Sequence, residues 1–475
     1  MSAGGAEARQ VDRGQRSDLW LENSPGVDMR ILIVTQIFLP EMGALSNRLY
    51  PITRQLTAAG HEVFVATGMP NYPEGIVFPD YRGKRFMREE RDGITVLRTA
   101  YSVAPRNQSK SSQLRSYLSF IPAALHSAMQ AGKMDVVFAS SPPIFTAVPA
   151  IWAARLRRAK FVFDVRDLWP DELITYGGMN AGSASVRVVS AVERWAYRAA
   201  DRITGTTAPI LDTVVDRGGE REKILLLPNG ADLEIFRPLS RDNPIAREYG
   251  FGNRFVVMYT GLFGIKHGLE VMLEAAELLK EKKDIVFFFL GNGARRSALL
   301  QHVQERGLDN VIFGNERSVR EIPSVLARAD VCFAAVRPEP YPKKVISVKI
   351  FEYLACEKPV VGALSGESAR VLRDSQGGIV VPLGDARATA DAILTLYHSP
   401  ERRALMGKLG RRYVEQHYSR SAWAARLERS MRELCGEERK QEPGTRAAGE
   451  LWDGRCERQP DTGASPLNPQ ELFRP

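Results

Sequence analysis

Ile31-Leu32-Ile33-Val34 has no polar residue for either side of an extended chain. A strand of this kind is buried on both faces, which requires a parallel sheet covered by helices and excludes a half-solvated antiparallel one. A loop with Pro40 and Gly43 follows, then a helical pattern through Leu49, Ile52, Leu56 and Ala59 that stops at Gly60. The next strand is predicted over 61–66, and others over 94–98, 136–139, 161–165, 203–205 and 224–227. Alternating strands and helices imply a doubly wound α/β sheet with right-handed crossovers. Pro228-Asn229-Gly230, with Pro238 and Pro244 after it, breaks the rhythm. It then restarts with strands at 255–259, 285–290, 311–313, 331–336, 359–363 and 378–381 and helices between them. Two consecutive α/β units of about 200 residues each are expected. Two such units facing each other hold a ligand between the carboxyl ends of their strands.

Charge and cysteine usage narrow the function classes. The chain has 65 Lys and Arg against 56 Asp and Glu, a formal charge of +9, which suits an anionic partner. Cys332, Cys356, Cys435 and Cys456 show no C-x-x-C spacing, which speaks against a zinc site or a disulfide framework. Cys332 and Cys356 sit in apolar runs and are expected in the core. Residues 1–28 lack the apolar stretch of a signal peptide, and together with the charge-rich tail 436–475 they are expected to be disordered. No stretch approaches about eighteen consecutive apolar residues, so a cytoplasmic, soluble or peripheral protein is expected. Three basic clusters, at 82–88, 106–115 and 155–160, are interleaved with or followed by bulky apolar residues such as Phe86, Tyr117, Leu118 and Leu156. That pattern suits an anionic membrane surface. The clusters form no recognisable nucleic-acid-binding module, so no nucleic-acid partner is expected.

The loops after the strands indicate which ligand is held. The first strand is not followed by G-x-G-x-x-G, and no G-x-x-x-x-G-K-[ST] occurs anywhere, which argues against dinucleotide and P-loop sites. Gly43, with Ser46 and Asn47, either opens a helix whose amides face an anion or hydroxyl-rich ligand, or forms an ordinary turn. Gly291 and Gly293 bracket Asn292 after the apolar strand Phe287-Phe288-Phe289-Leu290, as any tight strand-to-helix turn also would. Lys349 and Glu352, three apart near a predicted helix start, fall on one helical face. They suit a phosphate and a pair of sugar hydroxyls, or else form a solvated ion pair.

Four stretches taken in order resemble the retaining glycosyltransferases of family 4, which have the GT-B fold. They are the opening Met29–Val34 strand with Pro40-Glu41 and Ala59-Gly60-His61-Glu62-Val63, then Asp164-Val165-Arg166-Asp167-Leu168-Trp169-Pro170, then Pro228-Asn229-Gly230-Ala231-Asp232, and last Phe351-Glu352-Tyr353 through Val361. The likeness runs over roughly 29–434 and is greatest to bacterial transferases of exopolysaccharide, colanic-acid and O-antigen assembly.

The resemblance implies two Rossmann-like domains facing across a cleft: 29–230 for the acceptor and 231–415 for the donor, with a closing helix at 416–435 returning to the first domain. It implies retaining, metal-independent transfer of a hexosyl or N-acetylhexosaminyl group from a nucleotide-diphospho-sugar. The donor is a UDP-sugar first and a GDP-sugar second, and no cofactor is required. The acceptor is a glycan or a polyprenyl-diphosphate-linked acceptor, at the inner face of the plasma membrane. Glu352 matches the family's ribose-gripping carboxylate, whereas the position of that motif's first Glu is Lys344 here. The family's phosphate-binding Arg and Lys align with Leu262 and His267, next to Gly264 and Lys266. The expected catalytic residues are Asp167, Lys266 and Lys349; the expected donor-binding residues are Gly43, Gly264, His267, Gly291, Gly293, Glu352 and Glu367. Asp167 orients the acceptor hydroxyl, or simply forms the turn before Trp169-Pro170. A nucleotide-sugar epimerase or hydrolase, and a non-catalytic nucleotide- or partner-binding module of the same fold, are the competing expectations.

Overall fold

The computed structural model describes residues 29–436, apart from 42, 106–109, 176–177 and 338–340. The extension 1–28, the tail beyond 436, Cys456 and part of the basic cluster 106–115 therefore lie outside the described residues.

The first sheet contains β1 (Arg30–Val34), β2 (Glu62–Gly68), β3 (Phe86–Arg91), β4 (Ile94–Thr99), β5 (Val136–Ser141), β6 (Lys160–Val165), β7 (Arg202–Gly205) and β8 (Ile224–Leu226). Their order is β3-β4-β2-β1-β5-β6-β7-β8, parallel except for the β3–β4 pair. The helices here are α1 (Ala44–Ala58), α2 (Lys110–Gln130), α3 (Ala147–Arg157), α4 (Trp169–Thr175), α5 (Ala184–Ala199) and α6 (Ala208–Asp216). Side chains alternate along β1, so Leu32 and Val34 join Phe120, Ala150 and Tyr197 under α2, α3 and α5. Ile31 and Ile33 face the other way, onto Leu49 and Ile52 of α1. Both faces are covered, as the all-apolar run required. The edge strand β3 was not expected. Its signal was the two-residue loop Asp92-Gly93, both at positive φ, the usual hairpin connection.

The second sheet is wholly parallel, in the order β11-β10-β9-β12-β13-β14. It consists of β9 (Phe255–Thr260), β10 (Ile285–Leu290), β11 (Val311–Gly314), β12 (Val331–Ala335), β13 (Val360–Ala363) and β14 (Gly378–Val381). Its helices are α7 (Pro244–Glu248), α8 (Glu270–Leu278), α9 (Arg296–Arg306), α10 (Ile322–Leu326), α11 (Val348–Ala355), α12 (Gly366–Asp374), α13 (Ala386–Tyr397) and α14 (Pro400–His417). Cys332 and Cys356 are buried in this core as small apolar groups.

The chain passes between the two units twice, side by side. The Ala231 amide donates to the Tyr418 carbonyl at 2.9 Å, and the Arg420 amide donates to the Ala231 carbonyl at 3.0 Å. Gly230 has φ +56, and a Cβ there would lie 2.3 Å from the Tyr418 oxygen, so only glycine permits this crossing. Helix α15 (Arg420–Leu434) then packs Trp423, Leu427 and Met431 onto the first sheet's core. Among the described residues, no helix is long and apolar enough to cross a membrane.

Candidate functional site

Both sheets present their carboxyl strand ends to one cleft, and side chains bridge it directly. Lys266, in the short turn Ile265–His267 after β9, places Nζ 2.5 Å from Glu172 Oε1 on α4. The Thr207 hydroxyl, capping α6, donates to the Lys344 carbonyl at 2.5 Å. Lys344 Nζ donates to Thr213 Oγ1 at 3.0 Å. The position matching the family's first carboxylate is thus spent on joining the domains.

Lys349 and Glu352 lie in α11, whose first residue, Val348, follows Ser347. The Lys349 ammonium rests against the backbone of Gly261: a Cβ built there would lie 3.3 Å from Lys349 Cε and Nζ. It also stands 4.8 Å from the Tyr259 ring centroid, a cation–π contact. Among the described residues, neither Lys349 nor Glu352 has a hydrogen-bond or ion-pair partner for its side chain. Burial pushes the Lys349 ammonium down to about 8, against the pull of Glu352. Burial likewise raises the Glu352 carboxyl, with Arg420 and Lys349 opposing. His267 drops to about 3, through burial first and then the charges of Lys349 and Lys266, so its ring is neutral at any working pH. Lys266, His267 and Lys349 thus lie near one another beyond the end of β9, with Glu352 close enough to Lys349 for each to feel the other's charge.

The glycines shape this edge. Gly264 begins the turn that carries Lys266, and its missing Cβ would meet the His267 ring at 3.3 Å. Gly291 and Gly293, at φ +140 and +148, let the loop after β10 lie on the loop after β9; a Cβ on Gly291 would fall 2.0 Å from the Gly261 oxygen. The Phe263 amide donates to the Asn292 carbonyl at 2.7 Å, locking the two loops. Their glycines therefore serve loop-to-loop approach first. Leu262, where the family's phosphate-binding Arg aligns, is exposed and apolar.

On the opposite wall, Asp167 follows the carboxyl end of β6, close enough to Arg166 and Glu172 for each to feel its charge. Gly43 precedes α1 beyond β1 and faces the Tyr72 ring. The Glu367 carboxylate, in the first turn of α12, is held by the Arg370 guanidinium at 2.7 Å and 3.1 Å. Among the described residues, no group of three or more His, Cys, Asp or Glu is placed to hold a metal.

Two features escaped the sequence reading. Asp164, the first residue of the Asp-x-Arg-Asp stretch, is a buried anchor. It takes Arg48 Nη2 at 2.8 Å and Nε at 3.1 Å, the Ser140 hydroxyl at 2.8 Å and the Thr204 hydroxyl at 2.7 Å. Burial alone would raise its pKa, but Arg48 and the two hydroxyls hold it below the usual carboxylate range. Arg48 continues to Asn229 Oδ1 at 3.0 Å, tying β6 to the domain crossing. The second is Glu41, buried and accepting the amides of Phe38, Asn71 and Tyr72, which pins the loop that leads to Gly43.

Residues 43–230 match the glycosyl transferase 4-like domain family, and residues 254–399 match glycosyl transferases group 1. The putative colanic acid biosynthesis glycosyl transferase WcaI of Escherichia coli (strain K12) is 26% identical over 334 residues, 69% of this chain and 81% of its own length. The probable glycosyltransferase WbjE of Pseudomonas aeruginosa is 23% identical over 296 residues, 61% of this chain and 72% of its own. Among solved structures, sucrose-phosphate synthase from Thermosynechococcus elongatus aligns with TM-score 0.66 at 18% identity, covering 86% of this chain and 99% of its own. Anabaena HepE in complex with UDP and glucose aligns with TM-score 0.63 at 18% identity, covering 85% and 99%. The two-domain α/β architecture is the one these structures share.

Proposed function

The chain belongs to the family 4 glycosyltransferases of GT-B fold, of the exopolysaccharide and O-antigen type, and on that footing we propose how its cleft performs a nucleotide-sugar-dependent transfer. The reading rests on Lys349 and Glu352: a half-buried cation and a carboxylate on one helical face, both unpartnered among the described residues, beside glycine-lined loops. Glu352 accepts hydrogen bonds from the paired ribose hydroxyls of the donor, and Lys349 and Lys266 meet its diphosphate. A UDP-sugar is the expected donor.

The transfer is proposed to be retaining, metal-independent and of a hexosyl or N-acetylhexosaminyl group. The bond from the anomeric carbon to the diphosphate breaks, its electron pair staying on the phosphate oxygen. The acceptor oxygen bonds to that carbon from the same face, and its proton passes to the departing phosphate. The protein's task is to stabilise charge growing on the leaving group, which fixed cations and loop amides do in a dry cleft. Asp167, on the other wall, orients the acceptor hydroxyl. Thermal melting with UDP, GDP and their sugars tests this reading. A ligand at about 100 times its Kd adds about 2.7 kcal/mol to stability, and Glu352→Ala is expected to abolish the shift. No shift with any nucleotide would sink the proposal.

The acceptor is proposed to be a glycan on a polyprenyl diphosphate, reached at the inner face of the plasma membrane. Support comes from the outer face of α2, α3 and α5. Leu114, Leu118, Trp152, Leu156 and Val188 are exposed there, five of the twelve large hydrophobic side chains exposed among the described residues. Arg115, Arg155, Arg158, Arg187, Arg194 and Arg198 are exposed around them. The single acidic residue of the three helices, Glu193, is buried against Arg217. A recess of about 260 Å³ lined by Arg155, Arg158, Lys160 and Asp201 opens at the foot of α3, with Lys160 paired to Asp201 at 3.6 Å. Vesicles containing phosphatidylglycerol are expected to sediment the protein, and vesicles of phosphatidylcholine alone to leave it in solution. Arg155→Glu with Arg158→Glu should weaken that binding by about tenfold or more, as should raised salt. Equal binding to both vesicle types would count against the assignment.

A further inference from the structure

Arg166 is an arginine whose side chain has no assignment in the reading above. Its backbone is fixed at the carboxyl end of β6. Its amide donates to the Ser141 carbonyl at 3.3 Å, and its carbonyl accepts the Thr206 hydroxyl at 3.2 Å. The side chain, by contrast, has no hydrogen-bond or ion-pair partner among the described residues, and its Nε is buried and unsatisfied. A guanidinium presents five donors, and leaving it buried and unpaired is costly.

Three carboxylates act on it: Asp167, its neighbour in sequence, most strongly, then Asp164 and Glu172. Asp167 makes no hydrogen bond or ion pair to the guanidinium, and the other two are in use. Asp164 is filled by Arg48, Ser140 and Thr204. Glu172, which feels the charges of both Arg166 and Lys266, is bridged to Lys266 from across the cleft. Arg166 and Lys266 therefore approach one carboxylate from opposite domains. On the far wall, the position beside Gly264 that would supply a second phosphate cation is the apolar Leu262, and His267 is neutral. The cleft is short of positive charge on one side and has a spare guanidinium on the other.

We propose that the Arg166 guanidinium binds a diphosphate in the cleft, as the cation the N-terminal domain contributes opposite Lys349 and Lys266. The inference rests on the transferase reading and adds to it a binding residue from the other domain. The planar fork fits two phosphate oxygens at once, which a lysine cannot do. The diphosphate belongs either to the nucleotide donor or to a prenyl-linked acceptor; the chemistry recognised is the same.

The test uses the full-length protein with Arg166→Gln and Arg166→Lys, measuring melting temperature and affinity for UDP, UMP and geranyl diphosphate. Arg166→Gln removes a guanidinium whose buried Nε has no hydrogen-bond partner, so the free protein is expected to melt no lower than wild type. Its affinity for a diphosphate should fall by about tenfold to a hundredfold, with a smaller loss for UMP and partial recovery in Arg166→Lys. Loss confined to UDP assigns the residue to the donor, and loss confined to geranyl diphosphate assigns it to the acceptor. A lower melting temperature with both affinities unchanged makes Arg166 structural and overturns the proposal. Unchanged melting and unchanged affinities overturn it as well. Failure of the wild type to bind any nucleotide is a different result, since it removes the transferase reading on which the proposal stands.

Discussion

Lys349→Met is expected to lower turnover of the nucleotide sugar by about 10²–10³-fold, the usual effect of removing one fixed group that stabilises a developing oxyanion. Substrate binding should suffer less than turnover, because the negative charge on the leaving diphosphate is greatest in the transition state. The ammonium lies against the Gly261 backbone and over the Tyr259 ring, and among the described residues no carboxylate forms an ion pair with it. Its charge is therefore available to a ligand.

The same lysine sets a pH dependence with a definite sign. Burial brings its pKa down to about 8, so the free enzyme loses this cation as pH rises through that value. Donor affinity and kcat/KM should fall above about pH 8, whereas kcat, which reports the complex, should fall at higher pH because bound diphosphate favours the charged lysine. His267 contributes nothing between pH 5 and pH 9, being neutral down to about 3. In Lys349→Met the alkaline limb of kcat/KM should disappear. If it persists unchanged, another group titrates there and Lys349 is not the diphosphate cation.

Asp164→Ala should be the most destabilising of the substitutions considered, at about 3–5 kcal/mol, because it leaves Arg48 buried without its counter-charge. Chemical denaturation of the wild type and variant measures this directly. Arg48→Met combined with Asp164→Leu should recover most of the loss, since an apolar pair needs no desolvation. The acid side supplies a second check. The folded pKa of Asp164 lies below its ordinary value. The anchor's contribution is therefore complete above the unfolded value of about 3.9 and fades as pH falls through the folded one. The wild type should lose stability over that interval more steeply than Asp164→Ala. A loss under about 1 kcal/mol would show that the network is dispensable.

Asp164 and Arg166 divide one motif between them. In Asp164-Val165-Arg166-Asp167, the first carboxylate holds the first sheet to the domain crossing, and the residues after the strand reach the cleft. The alternation of a strand explains the division only in part. Asp164 lies inside β6 with its carboxylate among Ser140, Thr204 and Arg48, whereas Arg166 and Asp167 fall past the last ladder pair. A sequence motif shows that four residues belong together without showing which are architectural.

The sequence by itself determined the fold. Apolar runs with no polar face, such as Ile31–Val34 and Phe287–Leu290, have only one low-energy setting, a parallel sheet covered on both sides, and two series of them made two domains. It also located Lys349 and Glu352, since residues three apart in a helix share a face wherever that helix is packed. What it missed lay in contacts between distant segments. Lys344 turns to Thr213 rather than to a ligand, Lys266 meets Glu172 from the other domain, and the Arg166 guanidinium is left without a hydrogen-bonded partner while Asp164 and Glu172 are engaged elsewhere. Burial and pairing are properties of the assembled chain. Hydrophobic periodicity acts between neighbours in sequence and can be read there, whereas the charge state and availability of a cleft residue depend on partners about a hundred residues away, which only the tertiary structure supplies.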